Sequence, residues 1–160
     1  MDQKQATGRV ADLRSGDHNF ESRQMRRTKG WQVASLPDNI AAAPSESWNQ
    51  LTDNSHAKTV MNVYQPGDRN EMHCHPGSEH IFYVVQGKLH VSGLNEGEEV
   101  LLTPGQFVHV KASYFYALAN ETDDVTVAFQ VATKPAKPVK VATYEYPGPG
   151  KVDPEIADIA

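Results

Sequence analysis

In the central part of the sequence, residues 58–87 read KTVMNVYQPGDRNEMHCHPGSEHIFYVVQG. In this stretch, short runs of β-branched and aromatic residues alternate with turn-forming pairs such as Pro66-Gly67 and Pro76-Gly77. The same alternation continues to Val131 at intervals of about 8 to 12 residues, which is typical of a sandwich or barrel. The predicted strands are 59–65, 80–85, 88–92, 99–102, 106–110, 114–119 and 125–131. The sequence therefore predicts an all-β fold.

Length and charge exclude several classes of protein. The 160 residues match one domain, and 15 Lys and Arg against 20 Asp and Glu give a net charge of −5. This charge argues against binding to a phosphate backbone, and no apolar run approaches the roughly 20 residues that cross a bilayer. The N-terminus lacks the apolar segment of a secretory signal, and a single cysteine, Cys74, suits a reducing compartment. We expect a cytoplasmic protein with neither nucleic acid nor membrane as a partner.

The chain divides into three parts. Residues 1–57 are predicted to be an N-terminal arm with short elements that pack on the barrel or swap over it, because the first 30 are polar and aperiodic. Residues 58–132 form the predicted core barrel. Residues 133–160 form a tail rich in proline and glycine, which is expected to stay out of a central sheet. Since exposed edge strands need covering, we expect the arm to pair across a subunit boundary in a homodimer.

Three of the seven histidines fall within eight positions, at His73, His75 and His80. In an extended strand, side chains two residues apart share a face, so His73 and His75 point the same way and Cys74 points to the other side. A turn at Pro76-Gly77 then allows the next strand to bring a third group alongside. Glu79 and His80 are neighbours that should face opposite ways, and both faces of this strand are apolar beyond them. Periodicity alone leaves the choice between Glu79 and His80 open.

These residues resemble the first motif of the cupin superfamily, which is a glycine, five residues, HxH, three or four residues, a glutamate, six residues and a glycine. Gly67, His73, His75 and Gly87 match it, and His80 stands at the position of the glutamate. The resemblance implies a double-stranded β-helix, the antiparallel cupin jelly-roll barrel. It also implies a metal held by His73, His75 and His80, with Glu79 as the alternative to His80.

The second cupin motif is matched in spacing but not in chemistry. Gly105 and Asn120 are retained, while Lys111, Ser113 and Tyr116 replace the proline, the second glycine and the histidine of the family pattern. Tyr116 therefore takes the position of a ligand. It is predicted either to bind the metal as a fourth ligand or to act as a catalytic hydrogen-bond donor to the substrate, and we favour the donor.

Three imidazoles suit Fe, Ni, Cu or Zn better than Mg or Ca. We expect a divalent transition metal, with Fe(II) favoured and Zn, Ni, Mn or Cu as alternatives. Without a carboxylate ligand, the ion keeps its charge and attracts an anionic, chelating small molecule. Phe82, Phe115 and Phe129 are expected to line the substrate pocket. The predicted function is a non-haem Fe(II) dioxygenase for a small organic acid or carbonyl compound. The alternatives are a metal-dependent isomerase, lyase or cyclase, and a non-catalytic ligand-binding cupin.

Overall fold

The structure is a computed structural model that describes residues 47–157. Most of the predicted N-terminal arm, residues 1–46, therefore lies outside the described residues. Ten strands and one short helix, α1 (Pro154–Ala157), follow one another in the described part. The strands are β1 (Ser47–Asp53), β2 (Ala57–Tyr64), β3 (His73–Cys74), β4 (His80–Gln86), β5 (Leu89–Ser92), β6 (Glu99–Leu102), β7 (Phe107–Val110), β8 (Ala117–Ala119), β9 (Thr126–Thr133) and β10 (Tyr144–Glu145). Each strand predicted from the sequence overlaps one of these.

The strands form three groups in which every pair is antiparallel. The largest is a five-stranded sheet with the order β1-β2-β9-β4-β7. A three-stranded sheet has the order β6-β5-β8, and β10 pairs with β3. Isolated bridges from Arg69 to Ala119 and from His73 to Tyr116 join the β3 segment to the chain around β8. The predicted all-β, antiparallel architecture is confirmed.

Strand β4 shows which of its two apolar faces points inward. His80, Phe82 and Val84 are buried, whereas Tyr83 is 42% exposed. The inward residues join a core cluster that fills the space between the sheets. Its buried members are Tyr64, Phe82, Val84, Leu89, Val91, Leu102, Val110, Tyr116, Leu118 and Ala128.

Strand β9 turns its smaller and more polar face inward. Thr126, Ala128 and Gln130 are buried, while Phe129 is only partly buried on the opposite face. The position of Phe129 follows from register, because it pairs with Tyr83, which also lies on the outer face. The prediction that Phe129 lines the substrate pocket is therefore wrong.

The C-terminal tail packs on the outside of the barrel and closes one edge. Strand β10 pairs with β3 in a separate two-stranded sheet. Ile156 of α1 is buried with Cys74 and Phe115 in a second apolar cluster. Phe115 thus packs under the tail, because its neighbour Tyr116 takes the inward position. The prediction that Phe115 lines the pocket is also wrong. In the described part of the chain, no helix is long and apolar enough to span a membrane.

Candidate metal and ligand site

Backbone pairing places three functional side chains on one face. His73 exchanges two backbone hydrogen bonds with Tyr116, of 3.0 and 2.9 Å between N and O. On its other side His73 is directly opposite Glu145 of β10. Residues directly opposite one another in an antiparallel pair project to the same face. Tyr116, His73 and Glu145 accordingly all line one cavity.

Two of the predicted histidines are oriented by backbone carbonyl groups. His73 Nδ1 lies 2.7 Å from the carbonyl oxygen of Glu71, and His75 Nδ1 lies 2.9 Å from that of Ala142. A carbonyl oxygen only accepts, so each Nδ1 must carry the proton and donate it. In the neutral rings, Nε2 is then the nitrogen with a lone pair. The ring centroids lie 4.9 Å apart, and both residues line the cavity.

The third histidine lies close by but belongs to a closed hydrogen-bond network. The His80 ring centroid is 4.0 Å from that of His75. Its Nε2 is 3.1 Å from the Ser78 hydroxyl, and its Nδ1 is 3.0 Å from the Tyr116 hydroxyl and 3.1 Å from Gln130 Nε2. Gln130 is itself oriented by a 2.9 Å bond that Asn62 donates to its Oε1. Since Gln130 donates to Nδ1, the His80 proton resides on Nε2 and is donated to Ser78.

Burial keeps His75, His80 and Tyr116 uncharged near neutral pH. The pKa of His75 is lowered to about 4 and that of His80 to about 3, mainly by desolvation and in smaller part by the nearby Lys58 ammonium. Burial raises the pKa of Tyr116 well above its ordinary value. A neutral phenol is a hydrogen-bond donor, whereas metal ligation requires the phenolate. The favoured role of Tyr116 as a donor therefore suits its environment better than a role as fourth ligand.

The structure separates the predicted ligands into those that fit a metal and those that do not. His73 and His75 fit, because each has one nitrogen fixed by a carbonyl and the other available. His80 does not fit in this arrangement, because both of its nitrogens are engaged within the protein. Accordingly, residues 47–157 contain no group of three or more His, Cys, Asp or Glu side chains arranged to hold a metal ion.

Glu79, the alternative third ligand, lies outside the site. Its carboxylate is 3.0 Å from Nε2 of His109, and both side chains are about half exposed, at 49% and 45%. His109 pairs with Ile81, which is itself 39% exposed on the outer face of the five-stranded sheet. Because Glu79 precedes the inward-facing His80 by one residue, alternation turns it away from the cavity.

The cavity has a volume of about 650 Å³, and Glu145 of β10 is among the residues that line it. Of the three predicted pocket aromatics, only Phe82 lines it. Sequence reasoning missed several of its polar side chains, which are Lys58, Asn62, Arg69, Glu71, Gln130, Thr143 and Glu145. Asn62 and Gln130 carry a signal that was available, since each is an amide within an otherwise apolar run. Glu145 carries none, because β10 is only two residues long.

Two positions of the second motif, Ser113 and Asn120, have a structural role in this chain. Ser113 stands at the position of the second glycine and has a φ of 62°, in the left-handed region that favours glycine. Asn120 is fully buried and donates to the carbonyl oxygens of Tyr64 and Asp124 at 3.0 and 2.8 Å. Ser113 and Asn120 therefore shape and stabilise the backbone, and of the second-motif positions only Tyr116 lines the cavity.

Comparisons with known proteins agree with this geometry. A family model described as "Cupin domain" matches residues 60–132. Those residues are a cupin domain. The structure resembles an uncharacterised protein with a double-stranded β-helix domain from Klebsiella pneumoniae, with 15% identity, a TM-score of 0.54, and coverage of 71% of this chain and 90% of that one. The predicted double-stranded β-helix is confirmed.

Two further solved structures resemble this fold. The protein TT1209 from Thermus thermophilus is 21% identical, with a TM-score of 0.52 and coverage of 57% of this chain and 85% of that one. A sugar phosphate isomerase of the cupin superfamily from Silicibacter pomeroyi is 20% identical, with a TM-score of 0.50 and coverage of 58% and 67%. At these identities the likeness concerns the fold alone. No curated protein matches the chain by sequence.

Proposed function

We propose that the cupin domain is a metal-dependent enzyme that acts on a small organic acid or carbonyl compound, with His73 and His75 as the metal ligands. One observation carries the proposal: a backbone carbonyl fixes each ring through Nδ1 and leaves Nε2 for a ligand. Histidines that bind metals almost always donate their other ring N–H in this way, because the second partner sets both tautomer and orientation. A histidine pair without such partners would rotate and bind metal poorly.

Fe(II) is the ion that we favour, with Zn, Ni, Mn and Cu as alternatives, because imidazole nitrogens suit all of these ions. An Fe(II) ion with open positions supplies dioxygen activation, and its commonest protein site combines two histidines with one carboxylate. Two carboxylates, Glu71 and Glu145, line the cavity beside His73. Within residues 47–157 neither carboxylate forms a three-residue metal group with the histidines. The support for a dioxygenase-type reaction as the first candidate is therefore the histidine pair itself, with positions left open for an anionic, chelating substrate.

The chain itself contributes a hydrogen-bond donor for the substrate. His80 Nδ1 has one lone pair in its ring plane, yet both Gln130 Nε2 and the Tyr116 hydroxyl lie within about 3 Å of it. Gln130 alone satisfies that lone pair, so Tyr116 can turn its hydroxyl to a substrate oxygen without leaving His80 unpaired. Phe82, which is buried next to both rings, helps to exclude water from this point.

The same donor supports a second candidate, a non-redox isomerase, lyase or cyclase. A neutral phenol directed at a carbonyl or enolate oxygen stabilises the negative charge that develops there, and such reactions need no oxidant. The bound metal acts in that case as a Lewis acid. A cupin that binds its ligand without turnover remains the non-catalytic alternative.

Metal analysis of the purified protein, combined with oxygen uptake in the presence of small 2-oxo and 2-hydroxy acids, tests these candidates. We expect about one metal per chain, lost in His73→Ala and His75→Ala and retained in the matched control His109→Ala. His80→Asn should also retain the metal. Loss of the metal in this variant would show that His80 is a third ligand beside His73 and His75. Iron with oxygen uptake supports the dioxygenase, and turnover without oxygen supports the second candidate. A metal-free protein that cannot be loaded would overturn the proposal.

The homodimer and the cytoplasmic location stay predictions. The outer face of the five-stranded sheet exposes apolar side chains, among them Ile81, Tyr83 and Phe107, of which Phe107 is 64% exposed. A surface of this kind supports an interface with a second copy of the chain.

A further inference from the structure

Lys58 lies on the interior face of the five-stranded sheet. It is directly opposite Ala132 of β9, and Ala132 is directly opposite His80 of β4. All three side chains therefore project to one side, and Lys58 and His80 both line the cavity. The Lys58 ammonium is 5.0 Å from the centre of the Trp48 ring, which lines the same cavity. An aromatic face in this position attracts a cation and limits its freedom to move.

The Lys58 ammonium has no ion-pair partner among residues 47–157. The carboxylate opposite it in β1 belongs to Asp53, but Asp53 pairs with Lys134 at 2.8 Å. Burial lowers the pKa of Lys58, and Lys134 lowers it further, against a smaller opposing effect of Asp53. A partly desolvated ammonium without a counter-ion attracts an anion that enters the cavity.

The other charged residues of the cavity determine how an acid is oriented in it. Glu71 and Glu145 line it beside His73, and Arg69 lines it as a second cation that is largely exposed. The acidic groups thus lie beside His73, while Lys58 lies on β2 of the five-stranded sheet. A bound acid has one favourable orientation, with its negative end away from Glu71 and Glu145.

We propose that Lys58, held against Trp48, is the residue that binds the carboxylate of a small organic acid and directs the other end of that acid toward His73 and His75. A carboxylate matches the single charge of one ammonium better than a phosphate dianion does. The inference rests on the proposed function for the role of the acid as a substrate. Binding of the acid itself does not require the metal.

Trp48 provides a direct readout of this binding. We would use the full chain with Trp31→Phe, so that Trp48 is the only tryptophan, after treatment with a chelator to remove metal. The protein is titrated with butyrate, which has a single negative end, at constant ionic strength, and Trp48 fluorescence is recorded. Lys58→Gln, Lys58→Arg and Lys88→Gln are prepared in the same background. Lys88 is an exposed lysine outside the cavity, so its variant is matched in charge.

We expect saturable binding to the parent protein and to Lys88→Gln with the same Kd. Loss of one charge-assisted hydrogen bond should raise the Kd of Lys58→Gln by roughly tenfold. Lys58→Arg keeps the charge and should recover most of the affinity, which shows that a loss in Lys58→Gln is not a folding defect. Uncharged butyramide should not compete.

Three results would overturn the inference: no saturable change with butyrate, equal affinity of the two glutamine variants, or equal binding of butyramide. Because the titration uses metal-free protein, its failure is separate from failure of the metal proposal. If the protein binds butyrate but takes up no metal, the assignment of Lys58 stands and the proposal of a metal is overturned.

Discussion

Gly67 and Gly87 both belong to the first cupin motif, yet substitution by alanine should affect them unequally. Both have positive φ, of 86° and 72°. An alanine in this conformation costs about 1 to 2 kcal/mol relative to glycine. A Cβ at Gly67 meets nothing within 4 Å, so this conformational cost is the whole effect. At Gly87 the Cβ would lie 2.6 Å from the carbonyl oxygen of Val125 and 2.7 Å from Cα of Thr126.

The contacts at Gly87 involve backbone, which cannot move aside as the end of a long side chain does. The same Cβ would lie 2.6 Å from the Thr126 hydroxyl, which accepts from Lys88 N at 3.1 Å and donates to Lys88 O at 2.7 Å. Overpacking typically costs about 1 to 3 kcal/mol. We therefore expect Gly87→Ala to lower the free energy of unfolding by about 2 to 5 kcal/mol, and Gly67→Ala by about 1 to 2 kcal/mol.

Urea denaturation of both variants, followed by far-UV circular dichroism, measures the difference. Gly97→Ala is a matched control, since Gly97 has a φ of 79° and nothing within 4 Å of its Cβ position. It should behave as Gly67→Ala does. Equal destabilisation of all three variants would refute the steric argument and leave only the backbone conformation as the reason for glycine at position 87.

Two further predictions concern the site and its second motif. Ser113→Gly should raise the free energy of unfolding by about 1 kcal/mol in the same urea assay, because it relieves a positive φ and removes a buried hydroxyl without a partner in the described residues; a loss of stability would contradict this. His75 and His80 have folded pKa values of about 4 and 3 against an ordinary 6.5, so the unfolded chain binds more protons below pH 6.5. The contribution of these two histidines to the free energy of unfolding should be fully present above pH 6.5 and should be lost as the pH falls toward 3. In His80→Gln the free energy of unfolding should change less steeply with pH over this range. An unchanged slope would show that His80 is not buried as a neutral ring.

The strand pattern was predictable from sequence because turn pairs and β-branched runs are local signals. Pro66-Gly67 and Pro76-Gly77 mark the ends of elements whatever those elements pack against. The inward face of β4 was not predictable in the same way, because both of its faces are apolar and only tertiary packing distinguishes Phe82 from Tyr83. In β9 the apolar pattern favours the wrong face, since Phe129 packs outside while Gln130 enters the cavity.

The histidine cluster was predictable as a cluster, but the role of its third member was not. The spacing of His73, His75 and His80 brings the three rings together, with centroid distances of 4.9 and 4.0 Å between successive pairs. What sets His80 apart is its partners Gln130 and Tyr116, which are 50 and 36 residues away in sequence. A motif records the separation of residues along a chain and carries no information on such distant hydrogen bonds.

The composition of β9 explains why this barrel contains a cavity at all. Its inward positions hold Ala128, Gln130 and Ala132, so the middle strand of the five-stranded sheet contributes little volume to the interior. Had the face with Val127, Phe129 and Val131 turned inward, its larger side chains would take up space that the cavity now occupies. The small inward residues leave that space open, and Gln130 fixes the orientation of His80 by a hydrogen bond to Nδ1. Strand β9 supplies no predicted ligand, yet it determines both the volume of the site and the hydrogen bonding of its third histidine.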